Sequence, residues 1–162
     1  MRAGTENTAA IVGLGVAARL ARQRLASDPP RVEALRDRLE EALLGAVQGS
    51  RVIGREAPRL PNTSAIAFER VSGEALLIRL DLEGIAVSVG SACSSGTLAP
   101  SPALLSLGLS RVEAKGVVRF SLSRETTLRE VETAAGTVGR VVSEMRSSAP
   151  AVPAAAARRL SE

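Results

Sequence analysis

Around Gln48 the hydrophobic period of this chain changes, and that change limits what the chain can become. Before it, residues 31–47 place Val32, Leu35, Leu39, Leu43 and Ala46 on one face of a helix, with charges elsewhere. After it, "RVIG" and "TSAIAF" read as short strands, "SGEALLIRLDLEG" as a helix running to Gly84, and "IAVSV" as another strand. Helix, strand, helix, strand is the order of an α/β or α+β layer. With 162 residues, 45% of them hydrophobic, the chain is long enough for one core.

The flanking segments fill in this layer. Residues 7–25 form a helix with Ile11, Leu14, Ala18 and Leu25 on its apolar face, and "SDPP" ends it. The GLG inside lacks the rest of a dinucleotide fingerprint and does not follow a strand, so it reads as close helix packing. Asp28 caps the next helix, and Gly49 stops it. Beyond Gly84, "SPALLSLG" and "SRVEAKG" are short helices, the second with Ser110 and Glu113 at capping-box spacing. "VVRFSL" is a strand. A final helix starts at Thr127, with Glu130 as capping partner and Leu128, Val131, Ala135, Val138, Val142 and Met145 turned inward. From Ser147 the Ala- and Pro-rich tail is low in complexity and is expected to be disordered. These elements predict a short, mostly antiparallel sheet of three or four strands, covered on one side by the 31–47 and 127–145 helices.

Composition removes several function classes. The pI is near 10.8, but the net charge is only +4 because arginines alternate with Glu and Asp. Aromatics are 1% of residues, with no Trp or Tyr, which argues against a nucleic-acid module built on stacking. One cysteine and no histidine exclude an internal disulfide and, within one chain, a zinc site of N and S ligands. A reducing, cytoplasmic setting is expected. The early Arg2 and the apolar run after it do not make a secretory signal, because Glu6 precedes the run, Arg19 and Arg22 follow at helical spacing, and no small-residue cleavage site appears. No segment reaches the roughly 20 apolar residues of a membrane span.

Two residues stand out chemically. Cys93, the only thiol, lies among Gly90, Ser91, Ser94, Ser95 and Gly96, which is loop chemistry and not an apolar pocket. It is either an inert filler, since no histidine can activate it, or a reagent on a moving loop. Arg119 sits in the middle of an apolar strand, where alternation sets Val118, Phe120 and Leu122 on one face and Arg119 on the other with Val117 and Ser121. It is either an edge-strand arginine reaching water or a local Glu, or a clamp whose fork meets a carboxylate.

Three stretches, "RAGTENTAAIVGLGVAA", "PNTSAIAFERVSGEALLIRLDLEGIAVSVGSACSSGTLAPSPALLSLGLS" and "VVRFSLSRETTLREVETAAGTVGRVV", resemble in order and spacing the C-terminal part of pyridoxal-phosphate-dependent cysteine desulfurases of the NifS/IscS type, in the class V aminotransferase group. The resemblance runs from Arg2 to about Arg146. It implies the small C-terminal domain of a fold-type I transferase over residues 28–147, preceded by the end of a large-domain motif and a bridging helix over 1–27, with 148–162 outside. It implies that Cys93 attacks the sulfur of L-cysteine bound through pyridoxal phosphate and becomes a persulfide while alanine leaves. Arg119 would grip the substrate carboxylate. Thr5 would hydrogen-bond the cofactor phosphate, across a homodimer to the partner subunit's site. The loop 90–100 resembles the longer, mobile type that carries persulfide to an acceptor such as an iron–sulfur scaffold.

The chain also departs from that pattern. It lacks the family's Schiff-base lysine, its ring-stacking histidine and its aspartate partner of the ring nitrogen; its sole lysine is Lys115, just before the Arg119 strand. Pyridoxal chemistry needs such groups, so the chain is not expected to desulfurate cysteine alone. Ala99 stands where relatives often carry Glu, and Ser123 where a glycine usually follows, which predicts slight strain if that position has positive φ. Three readings result: a part of a cysteine desulfurase, a non-enzymatic persulfide carrier, or a defunct fragment. The first predicts that Ile11, Val12 and Leu14 are partly exposed when the large domain is absent.

Overall fold

The computed structural model describes residues 4–90 and 101–148. Four strands form one sheet: β1 (Ser50–Val52), β2 (Thr63–Phe68), β3 (Ser88–Val89) and β4 (Val117–Ser121). Their order is β1-β2-β4-β3 and every neighbouring pair is antiparallel, as the period-2 segments predict. The third strand is shorter than "IAVSV" suggests. Ile85 and Val87 pack against the core without joining the ladder.

Helices α2 (Asp28–Ala46), α3 (Gly73–Leu82) and α6 (Leu128–Ser148) cover one face of the sheet. Ile66, Phe68, Val118 and Phe120 point from the sheet into this layer and meet Leu39, Leu43, Leu76, Leu80, Val138 and Val142, all buried. Such burial, at about 25 cal/mol per Å² of apolar surface, is the main force holding the layer together. The α6 face follows the predicted period and adds Val141, but Leu128 at the first position is 51% exposed. Thr127 and Glu130 close that helix reciprocally: Thr127 N–H donates to the Glu130 carboxylate at 2.7 Å and Glu130 N–H to Thr127 Oγ1 at 3.3 Å.

In α2, Asp28 is the first helical residue and not the cap, and Pro29 and Pro30 occupy the first turn, where a missing N–H costs nothing. Ala46 is exposed. The larger correction concerns charge. Arg36 and Glu40 are buried on the same helix rather than set on its solvent face. Glu40 is satisfied by a two-pronged bond from Arg59, Nη1 to Oε1 at 2.6 Å and Nη2 to Oε2 at 3.2 Å. Arg36 donates to Leu60 O at 3.0 Å, and to Asp37 and Glu33. The connection from β1 to β2 is thereby strapped across α2.

Among the described residues, the opposite face of the sheet is covered only at one end. There α4 (Pro102–Ser106) and α5 (Arg111–Lys115) bury Leu104, Leu109 and Ala114 against Ile53, Ala67 and Val117. The predicted capping box holds α5, with Glu113 N–H donating to Ser110 Oγ at 3.2 Å and Ser110 N–H to Glu113 Oε2 at 2.9 Å.

Helix α1 (Thr8–Arg24) is different in kind. Asn7 Oδ1 caps it by accepting from Ala10 N–H at 3.1 Å, yet none of its residues is buried. Ile11, Val12 and Leu14 are 57%, 66% and 73% exposed, as the partial-chain reading expects. At 100° per residue, Ile11, Leu14 and Leu25 line one side and Val12, Val16 and Leu20 roughly the opposite one, the pattern of a helix buried between two bodies. Gly13 and Gly15 have nothing within 4 Å of a built Cβ, so among the described residues these glycines serve no close packing. No described helix is long and apolar enough to cross a membrane.

Candidate functional site

The uncovered part of the sheet is where Arg119 lies. Its strand β4 alternates as predicted: Val118 and Phe120 are buried in the helical layer while Arg119 and Ser121 are exposed on the other face. Val117 shares the open face but is buried, because α4 and α5 lie over that end. β4 is an interior strand between β2 and β3, which overturns the edge-strand reading of Arg119. Among the described residues Arg119 has neither an ion pair nor a hydrogen bond, which also removes the local-Glu reading there.

The register supplies its neighbours. Ala65 of β2 stands directly opposite Arg119 on one side and Ser88 of β3 on the other. Directly opposed residues share a face, with Cβ atoms about 5 Å apart. The guanidinium therefore rises between a methyl group, which leaves room, and a hydroxyl, which can donate or accept. Thr63 and Ser121 form the next opposed pair on the same face. A fork of five N–H donors above a small, hydroxyl-lined floor is suited to a carboxylate.

Cys93 and Ala99 lie outside the described residues, but the two ends of their loop are fixed. Gly90 follows β3 and packs on the start of α4: a Cβ built on it would stand 2.9 Å from Leu104 Cδ1 and 3.3 Å from Ser101 Cβ. The loop thus leaves and returns at one place. Four residues separate Ser88 from Cys93, and the five Cα-to-Cα steps span at most about 18 Å when extended. The thiol is tethered within that reach of the residue opposite Arg119.

The remaining predicted residues are not brought to this face. Thr5 is exposed ahead of the uncovered helix α1. Lys115 is the exposed last residue of α5 and lines a groove toward the β2–α3 turn, with Val112 and Arg70. Ser123 carries no positive φ; Arg70 is the only described non-glycine that does, so the predicted strain at Ser123 is absent. Ser123 Oγ instead accepts from Glu125 N–H at 3.0 Å in the turn before α6. Sequence reasoning named Gly90 as the start of the loop but missed Ser88 and Ala65. Alternation placed each on a strand, but only the pairing register sets them beside Arg119.

Over residues 1–133 the chain matches the family described as aminotransferase class V. It is 45% identical over 156 residues to a cysteine desulfurase of Gluconacetobacter diazotrophicus, covering 96% of this chain and 39% of that protein. It is 47% identical over 149 residues to the cysteine desulfurase NifS of Azotobacter vinelandii, covering 92% and 37%. The X-ray structure of a NifS-like protein from Rickettsia africae superposes with a TM-score of 0.76 at 30% identity, over 88% of this chain and 36% of that one. The chain thus spans less than two fifths of the relatives' length. A match over most of its residues, carried by the same fold, makes this chain a member of the class V aminotransferase family.

Proposed function

We propose that this chain supplies the substrate-carboxylate arginine and the sulfur-accepting thiol of a cysteine desulfurase, as the small C-terminal domain (28–147) preceded by a bridging segment (1–27). The observation that carries the reading is the register that sets Arg119 opposite Ser88, on the strand that feeds the Cys93 loop. With Arg119 holding the α-carboxylate of L-cysteine, the substrate sulfur is left for the thiol of the loop that follows β3. The net change balances without an outside oxidant: the substrate's C–S bond breaks, an S–S bond forms on Cys93, and L-alanine and a Cys93 persulfide result. The 90–100 loop then presents that sulfur to an acceptor protein, such as an iron–sulfur scaffold.

The family implies pyridoxal phosphate, and the residues here do not make a site for it alone. Thr5 offers one hydroxyl for a phosphate and Arg119 one fork for the substrate. The sole lysine ends α5 at the groove beside Val112, and no histidine exists to stack on a ring. Desulfuration is assigned to these residues acting together with those that hold the cofactor in the family, in a cytoplasmic homodimeric assembly.

The test is complementation. The chain is mixed with the lysine-bearing part of a cysteine desulfurase relative, and alanine and sulfide release from L-cysteine are measured. Activity that appears with the native chain and disappears with Cys93→Ala and Arg119→Ala supports the reading. Activity that is indifferent to both substitutions overturns it. The placement of Lys115 favours a second reading, a persulfide carrier: Cys93 would take sulfur from a donor persulfide while every pairing stayed inactive.

A further inference from the structure

Helix α6 ends at a groove. Its last-turn Arg146 donates from Nε and Nη2 to Glu69 O, at 3.1 and 2.8 Å, and from Nη1 to Gln48 O at 2.7 Å. Both carbonyls belong to turns that wall a cleft of about 800 Å³ between α5 and the β2–α3 turn, lined among others by Gly49, Glu69, Val71 and Val112. Val112 is 71% exposed on its rim. Arg70 stands beside it with φ of 60°, a left-handed conformation that a long side chain rarely holds. Gly49 and Glu69 are tied together across this wall by a backbone bond of 2.9 Å, Glu69 N–H donating to Gly49 O. The described residues run to Ser148, two residues beyond the arginine that fixes α6 to this rim.

The segment after Ser148 is chemically suited to the cleft. Residues 149–157 read "APAVPAAAA", without a charge. Pro150 and Pro153 are three apart, so in a polyproline II helix, with three residues per turn, they would share one edge with Val152 beside them. Such a segment cannot build a core of its own, and prolines lower the entropy it loses on docking. Nine residues at about 3.1 Å each reach roughly 28 Å, ample to cross the cleft from its rim.

We infer that the groove between α5 and the β2–α3 turn is the seat of the chain's own segment 149–157. The inference does not depend on the desulfurase reading, because among the described residues Arg119 does not line this groove.

Hydrogen exchange tests it on the full chain and on a chain ending at Ser148. Amides of residues 67–72 and 111–116 are expected to exchange at least about threefold faster in the shorter chain, while amides of α2 do not change. Val112→Glu in the full chain should reproduce the acceleration, and should add nothing in the shorter one. The pair Pro150→Asp and Pro153→Asp gives the same reading without shortening the chain. Equal exchange in all these chains overturns the inference. Protection that grows with protein concentration also overturns it, since the groove would then hold a second copy's segment.

Discussion

Arg119 and Ser88 are directly opposed residues on neighbouring antiparallel strands, on the one part of the sheet that no described helix covers. Arg119 contributes little to stability there, since among the described residues it has no partner. Arg119→Lys is therefore expected to leave the thermal midpoint within the error of an exposed substitution, about 0.5 kcal/mol. In the complemented enzyme the same change should raise KM for L-cysteine by roughly 10-fold or more, because an ammonium cannot make two parallel bonds to a carboxylate. Calorimetry and steady-state kinetics on one preparation separate the two effects.

A second expectation concerns the buried strap. Glu40 is 1% exposed and takes both prongs of Arg59. Glu40→Ala leaves Arg59 facing a buried site without its counter-charge, while Arg36 keeps Glu33 and Asp37; the loss is about 3–5 kcal/mol. Urea denaturation is the measurement, and the loss should exceed that of any exposed pair such as Arg38–Glu132, for which about 0–1 kcal/mol is typical.

The same carboxylate sets a pH dependence. Burial alone would raise its pKa, but the Arg59 bond and the charges of Arg59 and Arg36 outweigh it and hold the group below the usual carboxylate range. A group whose folded pKa is depressed stabilises the fold above its unfolded value, about 4.3, and that contribution disappears as pH falls through the folded value. Glu113, Glu130 and Glu144 are also lowered, the first two by bonds from the backbone N–H groups of Ser110 and Thr127, the third by Arg140. Stability should fall on acidification below about pH 5. The difference between native and Glu40→Gln chains should shrink through that window, as read from urea midpoints at pH 7, 5 and 3.5.

These elements show what a sequence discloses and what it hides. The periods of residues 31–47 and 127–145 were legible because a helix's buried face follows directly from spacing. Leu128 departs from its pattern as the first residue of α6, 51% exposed. Arg36 and Glu40 were illegible because the groups that meet them from outside the helix, Leu60 O for Arg36 and Arg59 for Glu40, lie about 20 residues along the chain, and only tertiary contact makes a buried charge tolerable. The site was half legible for a related reason: alternation turned Arg119 outward, but the neighbour Ser88 depends on strand order, which local pattern does not encode.

Two glycines give opposite predictions. Gly116 joins α5 to β4, and a Cβ there would meet Phe68 O at 2.6 Å and Val71 O at 3.1 Å, both backbone atoms that cannot step aside. Gly116→Ala should destabilise by about 1–3 kcal/mol through overpacking. Gly136 lies inside α6 with nothing within 4 Å, so Gly136→Ala should stabilise by roughly 0.5–1 kcal/mol through helix propensity. Thermal midpoints moving in opposite directions would check the packing at both places.

The last prediction concerns α1, whose apolar residues face two sides and meet no cover among the described residues. A helix that is apolar on opposing sides is stable in water only when both are buried. The isolated chain should therefore self-associate, with the sedimentation coefficient rising over micromolar concentrations. Leu14→Glu and Val12→Glu test the two sides separately, since the residues lie roughly 160° apart around the axis. If a single self-contact covered the helix, one substitution would suffice to restore a monomer; if both sides are used, only the double variant would. Adding the lysine-bearing part of a relative should suppress the association in the native chain, because it competes for the same apolar surface. A native chain that stays monomeric at high concentration would show that α1 folds back on its own domain.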